Sequence, residues 1–189
     1  MAKIQRLSMK SAGEAPGPGR GRGGCEGDAE HDSPSGNAGK TTVVRYTAAG
    51  GIVVHDGRVL VLHRPGKDEV RLPKGHIKAG ETARAAALRE TREESGYTRL
   101  AMAADLGTQI VEFDHKGRHV VRDERYFLIR LEGPPEAPGD GEDQFEPRWL
   151  PWDDALSSLT FEPEREWVRR ARVVTDGQGP TDQSTKEKK

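Results

Sequence analysis

Residues 75–97 read GHIKAGETARAAALRETREESGY, and no other stretch restricts the fold of this chain so tightly. Thr82 is a good N-cap, and Gly96 suits the position just past a helix, where a left-handed residue closes it. Between them Ala83 to Glu94 contains no helix breaker, so the spacing predicts a helix over 83–94. At ~100° per residue, Glu90, Glu93 and Glu94 fall within an arc of roughly 100° and share one face. Ala83, Ala86 and Ala87 project on that side and leave the space above the acids open. Leu88, Thr91 and Ser95 lie to one flank as core contacts. Isolated like charges at this spacing repel, whereas divalent cations would neutralise them. Mg²⁺ and Mn²⁺ are hard ions that take carboxylate oxygens and keep open positions for a phosphate. The plain alternative is a solvated helix whose acids pair with Arg84, Arg89 and Arg92. Arg89 stands four residues before Glu93 and can pair with it, which suits an orienting role.

The spacing of the whole segment decides between these readings. Gly75, Glu81, Arg89, Glu90, Glu93, Glu94 and Gly96 stand at fixed intervals that resemble the signature of the Nudix hydrolases. One position departs: Thr91 sits where that family prefers Ile, Leu or Val. The resemblance implies an α/β fold, an α/β/α sandwich with a mixed central sheet, spanning roughly 44–172. It implies Mg²⁺ as cofactor, with Mn²⁺ as a substitute, and Glu90, Glu93 and Glu94 as ligands. The carbonyl of Gly75 matches a backbone ligand, and Glu81 matches a glutamate that stands near the metals and mainly supports the site. Water would attack a phosphorus within a nucleoside diphosphate linked to another group. The base is either a glutamate of the segment or a loop acid. Glu142 and Glu146, in the loop before Trp149, are candidates, with Glu146 the better anchored.

Outside the segment the chain organises as one domain between loose ends. Residues 1–41 are dominated by Gly, Ser, Pro, Ala and charge, and the stretch 176–189 is similar, so neither is expected to bury a core. Lys3, Arg6 and Lys10 precede any acid, yet no long apolar run accompanies them, and a disordered tail is expected there rather than a transit peptide. The domain is placed at 42–175. Within it, Thr42 to Val54, Val59 to His63, Val70 to Leu72, Asp105 to Phe113, His119 to Leu131 and Arg148 to Leu150 read as strands. An Asp56-Gly57 turn joins the first two as a hairpin. Helices are expected from Asp153 and over Glu164 to Val174. No segment reaches the ~20 apolar residues of a membrane span. Cys25 is the only cysteine, which excludes an intramolecular disulfide and is compatible with a cytoplasmic setting. The formal net charge of −1 offers no global field for nucleic acid, and the Arg20–Arg22 run is short.

Substrate choice must depend on residues around the segment. The run Arg71-Leu72-Pro73-Lys74-Gly75-His76 is similar to the entrance of diadenosine tetra- and hexaphosphate hydrolases within the family. Lys74 and His76 there would meet phosphates, and Arg64 could add a two-pronged contact. Phe113 and Tyr126 could stack a base, with core packing as the alternative for both. The expected partner is therefore a nucleotide, held by a monomer or homodimer, with dinucleoside polyphosphates preferred. A triphosphate pyrophosphatase of the mutator type acting on 8-oxo-dGTP and a diphosphoinositol polyphosphate hydrolase are alternatives. A Nudix module that senses a nucleotide without cleaving it is the alternative of another class; retention of all four glutamates argues against it.

Overall fold

The computed structural model of the protein describes residues 6–8, 42–135 and 139–177. The expectations for Cys25, for Arg20–Arg22 and for most of both tails fall outside these residues. Three residues of the amino-terminal segment, expected to be loose, form a short strand, β1 (Arg6–Ser8). The domain proper runs β2 (Thr42–His55), β3 (Arg58–Arg64), β4 (Glu69–Arg71), β5 (Lys74–His76), α1 (Ala83–Ser95), β6 (Leu100–His115), β7 (Arg118–Leu131), β8 (Glu146–Pro151), α2 (Trp152–Ser158) and α3 (Glu162–Gly177). A single 3₁₀ turn, Pro65–Lys67, separates β3 from β4.

The strands form one mixed sheet in the order β1-β6-β7-β2-β3-β4, with β5 added to β2 and β8 to β3. Its spine is the parallel pairing of β2 with β7, in register from Thr42 opposite Arg118 to Val54 opposite Arg130. The other pairings are antiparallel. The period-2 alternation of these strands divides the core into two layers. Ile52, Val59, Val61, Tyr126 and Leu128 pack on one face against Trp167, Val168 and Ala171 of α3 and Ala155 of α2. Ala49, Val53, Leu60, Phe127 and Ile129 pack on the other against Ala86 and Ala87 of α1. Helices thus cover both faces, the sandwich that the sequence implies.

Helix α1 lies close to β2 because neither side carries bulk at the crossing. A Cβ on Gly51 would stand 2.5 Å from Ile129 Cδ1 and 2.7 Å from Thr91 Oγ1, so only glycine fits there. Thr91 is fully buried, and its hydroxyl donates to Ala87 O at 2.7 Å. The departure at position 91 is therefore a core contact with its polar atom satisfied inside the helix. Strand β5 was not foreseen; three residues with a central glycine carry no readable periodicity. It forms because the backbone of Ala48, Ala49 and Gly50 accepts His76, Gly75 and Lys74 as partners. Among the described residues no helix is long and apolar enough to cross a membrane.

Candidate active site

Both ends of α1 are set by the residues the sequence indicates. Thr82 Oγ1 accepts from Ala85 N at 3.2 Å, and Gly96, at φ 75°, donates its amide to Arg92 O. Midway along the helix, the acids gather around Arg89. Its guanidinium donates two hydrogen bonds of 2.9 Å to Glu81, and a third and fourth to Glu90 and Glu93, at 2.6 and 2.9 Å. It also donates to the carbonyl of His76 at 3.0 Å, tying the helix to β5. The Arg89 hydrogen bonds hold the Glu81 carboxyl down to about 2. Glu81 is thus drawn toward the acid face by an arginine that both share, although helical projection alone places it elsewhere.

The backbone of β5 closes against the same face. A Cβ on Gly75 would stand 2.1 Å from the Glu90 carboxylate, so a side chain at 75 would displace the acid. Next door, the amide of Lys74 donates to Glu94 Oε2 at 2.9 Å. Burial pushes the Glu94 carboxyl up to about 8, opposed by the Lys74 amide and charge and reinforced by Glu142 and Glu90. Glu94 faces a cavity of about 170 Å³ whose wall includes Tyr46, Leu72, Lys74, His76 and Arg122.

The expected substrate residues divide. His76 is exposed at the cavity mouth and stacks on Tyr46, with ring centroids 4.3 Å apart. Arg64 bonds Gln144 and lies over the Phe145 ring at 5.7 Å. Lys74 lines the cavity, but its ammonium is taken by the buried Glu164 at 2.5 Å, so its charge is already paired. Phe113 lies under the Arg122 guanidinium at 5.1 Å. Tyr126 is a correction: it is fully buried and stacks on Trp167 at 4.9 Å, which leaves it no free face for a base. Its position one residue before Phe127 decides this, since alternation along β7 aims it at α3.

Arg122, Tyr46 and Glu164 were not singled out from the sequence, and Arg71 was named only within the run 71–76. For Arg122 a signal existed, because 122, 124, 126 and 128 alternate on one face of a strand that ends in core residues. The fully buried Glu124 pairs with Arg122 at 2.6 Å and accepts from Trp167 Nε1 at 3.2 Å.

The two loop acids also divide. The loop before β8 docks on the end of α1: Gly139 N donates to Gly96 O at 3.1 Å, and Glu142 N donates to Glu93 O at 3.0 Å. This brings Glu142 close enough for its charge to raise Glu94. Glu146 instead opens β8 opposite His63 and is bonded there to His63 at 3.0 Å and Arg148 at 2.8 Å. Those two partners hold its carboxyl below the usual range.

The donors suit a hard divalent cation. Glu90, Glu93, Glu94 and the Gly75 carbonyl offer oxygen alone, without imidazole or thiolate. The bare Gly75 backbone against Glu90 is the kind of cradle a shared ion requires, and burial, reinforced by the neighbouring Glu142 and Glu90 charges, raises Glu94 in a way a bound cation would offset. Among the described residues no three acidic or imidazole side chains converge as a finished cage. One nitrogen of Arg89 bonds both Glu90 and Glu93, and an ion that keeps several of its waters needs no closed cage.

Comparison with known proteins follows the same direction. The NUDIX domain model matches residues 45–174. The mutator protein named MutT4 in Mycobacterium tuberculosis is 32% identical over 154 residues, covering 76% of this chain and 61% of its own length. The 8-oxo-(d)GTP phosphatase of Mycolicibacterium smegmatis is 34% identical over 112 residues, covering 59% of this chain and 33% of that protein. This chain therefore spans well short of the full length of either relative. Among solved structures, a C. elegans Ap4A hydrolase binary complex aligns with a TM-score of 0.58 at 23% identity, over 70% of this chain and 98% of that one. At such identity the likeness shows the fold.

Proposed function

The chain belongs to the NUDIX domain family, and on that premise we propose that it is a divalent-metal-dependent hydrolase of phosphoric anhydride bonds in nucleoside polyphosphates. The observation that carries this reading is the acid face of α1, ordered by Arg89 and closed by the β5 backbone beside an open cavity. Glu90, Glu93, Glu94 and the Gly75 carbonyl would hold Mg²⁺ or Mn²⁺, which when bound neutralises phosphate charge and favours ionisation of water. Arg89 keeps Glu81, Glu90 and Glu93 in fixed orientation. Glu142, docked at the end of α1, would accept the proton of the attacking water at its carboxylate, while Glu146 is spent on His63 and Arg148. His76 and Tyr46 border the cavity where a base or ribose would rest, with the Arg122 charge behind them.

For the substrate, a nucleoside triphosphate of the mutator type is the first reading. Lys74 is paired with Glu164 and Tyr126 is buried, so one residue expected to meet phosphates and one that could stack a base are engaged elsewhere. The names of the two mycobacterial relatives support the same direction. Dinucleoside polyphosphates are the second reading, favoured by Arg64 and the exposed His76 at the mouth. The test is hydrolysis with Mg²⁺ of 8-oxo-dGTP, dGTP, diadenosine tetra- to hexaphosphate, ADP-ribose and a diphosphoinositol phosphate, with the nucleotide and phosphate products separated and identified by chromatography. Preference for a nucleoside triphosphate is expected. A preference that rises with phosphate chain length would reverse the order of the two readings, and no hydrolysis of any substrate would remove the hydrolase reading.

A further inference from the structure

We propose that Glu164 of α3, far in sequence from residues 75–96, is a positioning residue of the active site that acts through Lys74. Its carboxylate is 2% exposed, a depth at which a charge survives only if paired and hydrogen-bonded. The pairing is directed entirely at the segment leading into β5. Glu164 Oε2 accepts from Leu72 N at 3.1 Å, and Oε1 takes Lys74 Nζ at 2.5 Å and lies 3.7 Å from Arg71 Nε. The corner before α3 grips the same segment one step earlier. Thr160 N donates to Val70 O at 3.0 Å, and Val70 N donates to Thr160 Oγ1 at 2.9 Å.

The next contact along is the site itself. Lys74 N donates to Glu94, and Gly75 seats against Glu90. An unbroken path of bonds therefore runs from Glu164 through Lys74 to a metal-facing carboxylate. Packing alone does not require an acid here, because Trp167, Val168 and Ala171 follow on an apolar face and a hydrophobic residue would fill the same space. What the acid adds is placement: it fixes the Lys74 amide and holds two cations with one negative charge. Arg71 and Lys74, which both line the cavity wall, are thereby held in place, with Glu69 as a second carboxylate 3.8 Å from Arg71. This inference rests on the reading of the site as a metal-dependent hydrolase.

Glu164→Gln keeps volume and removes charge, and is compared with wild type for kcat, KM, Mn²⁺ affinity by electron paramagnetic resonance titration, and melting temperature. The kcat should fall about 10- to 100-fold and Mn²⁺ binding should weaken by a similar order, with KM little changed. Val168→Ala, a cavity in α3 away from the site, supplies the stability control: it should lower the melting temperature while kcat and Mn²⁺ affinity stay near wild type well below melting. If Glu164→Gln does not fold, Glu164→Asp keeps the charge, shortens the reach and is read in the same way. Wild-type kcat and Mn²⁺ affinity in the folded variant, or losses matched by Val168→Ala at equal melting temperature, would overturn the proposal. If wild type hydrolyses none of the substrates, the hydrolase reading fails, while the Mn²⁺ titration still tests the path from Glu164 to Glu94. Absence of Mn²⁺ binding in wild type would overturn both.

Discussion

Arg89 holds Glu81 with two parallel hydrogen bonds of 2.9 Å across eight residues of chain, from the middle of α1 back to the loop that precedes it. The planar fork of a guanidinium makes this geometry possible, and an ammonium cannot reproduce it. The same group touches Glu90, Glu93 and the His76 carbonyl, so one side chain sets the orientation of both the helix acids and β5.

Arg89→Lys should therefore act as a loss of orientation rather than of charge. We expect kcat/KM to fall about 10- to 100-fold, with weakened Mg²⁺ dependence. Steady-state rates across a Mg²⁺ titration check this, and a variant within twofold of wild type at every concentration would refute the orienting role.

Glu94 carries a pH signature. Its carboxyl titrates near 4.5 in the unfolded chain and near 8 when folded without metal, because burial penalises the ionised form. The folded state thus holds an extra proton between those values, and its stability falls as pH rises through that window. Glu94→Gln removes the penalty, so the metal-free variant should melt a few degrees above wild type at pH 8.5. The gap should close as pH drops toward 4.5. Melting scans in chelator at both pH values measure it, and a gap of the opposite sign would show that Glu94 is ionised at no cost.

Binding of Mg²⁺ should displace that proton. Between pH 6 and 8 the cation needs the ionised carboxylate, so binding releases protons to the buffer. Calorimetric heats should then differ between buffers of different ionisation enthalpy. Equal heats in all buffers would mean that Glu94 is already ionised or takes no part.

The loop acids separate by rate. Glu142→Gln should lower kcat by about 10²–10⁴-fold with little change in KM, the range of a lost general base. Glu146→Gln should cost far less in rate, because its carboxylate is committed to His63 and Arg148. A reversal of these two results would return the role to Glu146.

At the helix–sheet crossing, Gly51→Ala should destabilise the fold by about 1–3 kcal/mol through overpacking. Its Cβ would meet Ile129 Cδ1 at 2.5 Å and Thr91 Oγ1 at 2.7 Å. Adding Ile129→Val should recover part of the loss in denaturant unfolding, and no recovery would place the clash at Thr91.

Much of this was legible in the sequence because the relevant forces are local. The caps of α1, its acid face and the alternation of β2, β3 and β7 each follow from periodicity over one element. The strand limits moved by a few residues, and β6 proved longer, beginning at Leu100, because its register shifts near Ala103 and Leu106 interrupt the alternation. What escaped depends on neighbours distant in sequence. Lys74 reads as a free cation until α3 places Glu164 against it. Glu146 reads as the better anchored base until β3 shows that the anchor is His63. Tyr126 was open between base stacking and core, and only the docking of Trp167 decides it.

The parallel pairing of β2 with β7 also bears on how the chain must be made. β2 emerges during synthesis well before the strand that pairs with it along thirteen positions, from Thr42 to Val54. Until β7 follows, the run Ala48–Val53 presents unpaired backbone and apolar side chains with nothing of the finished sheet beside that edge. Such a segment is open to pairing with other nascent chains. Yield at high expression should thus be governed by how quickly β7 arrives, and a slow stretch of translation between α1 and β7 should send more chain into aggregates than the same delay placed after β8.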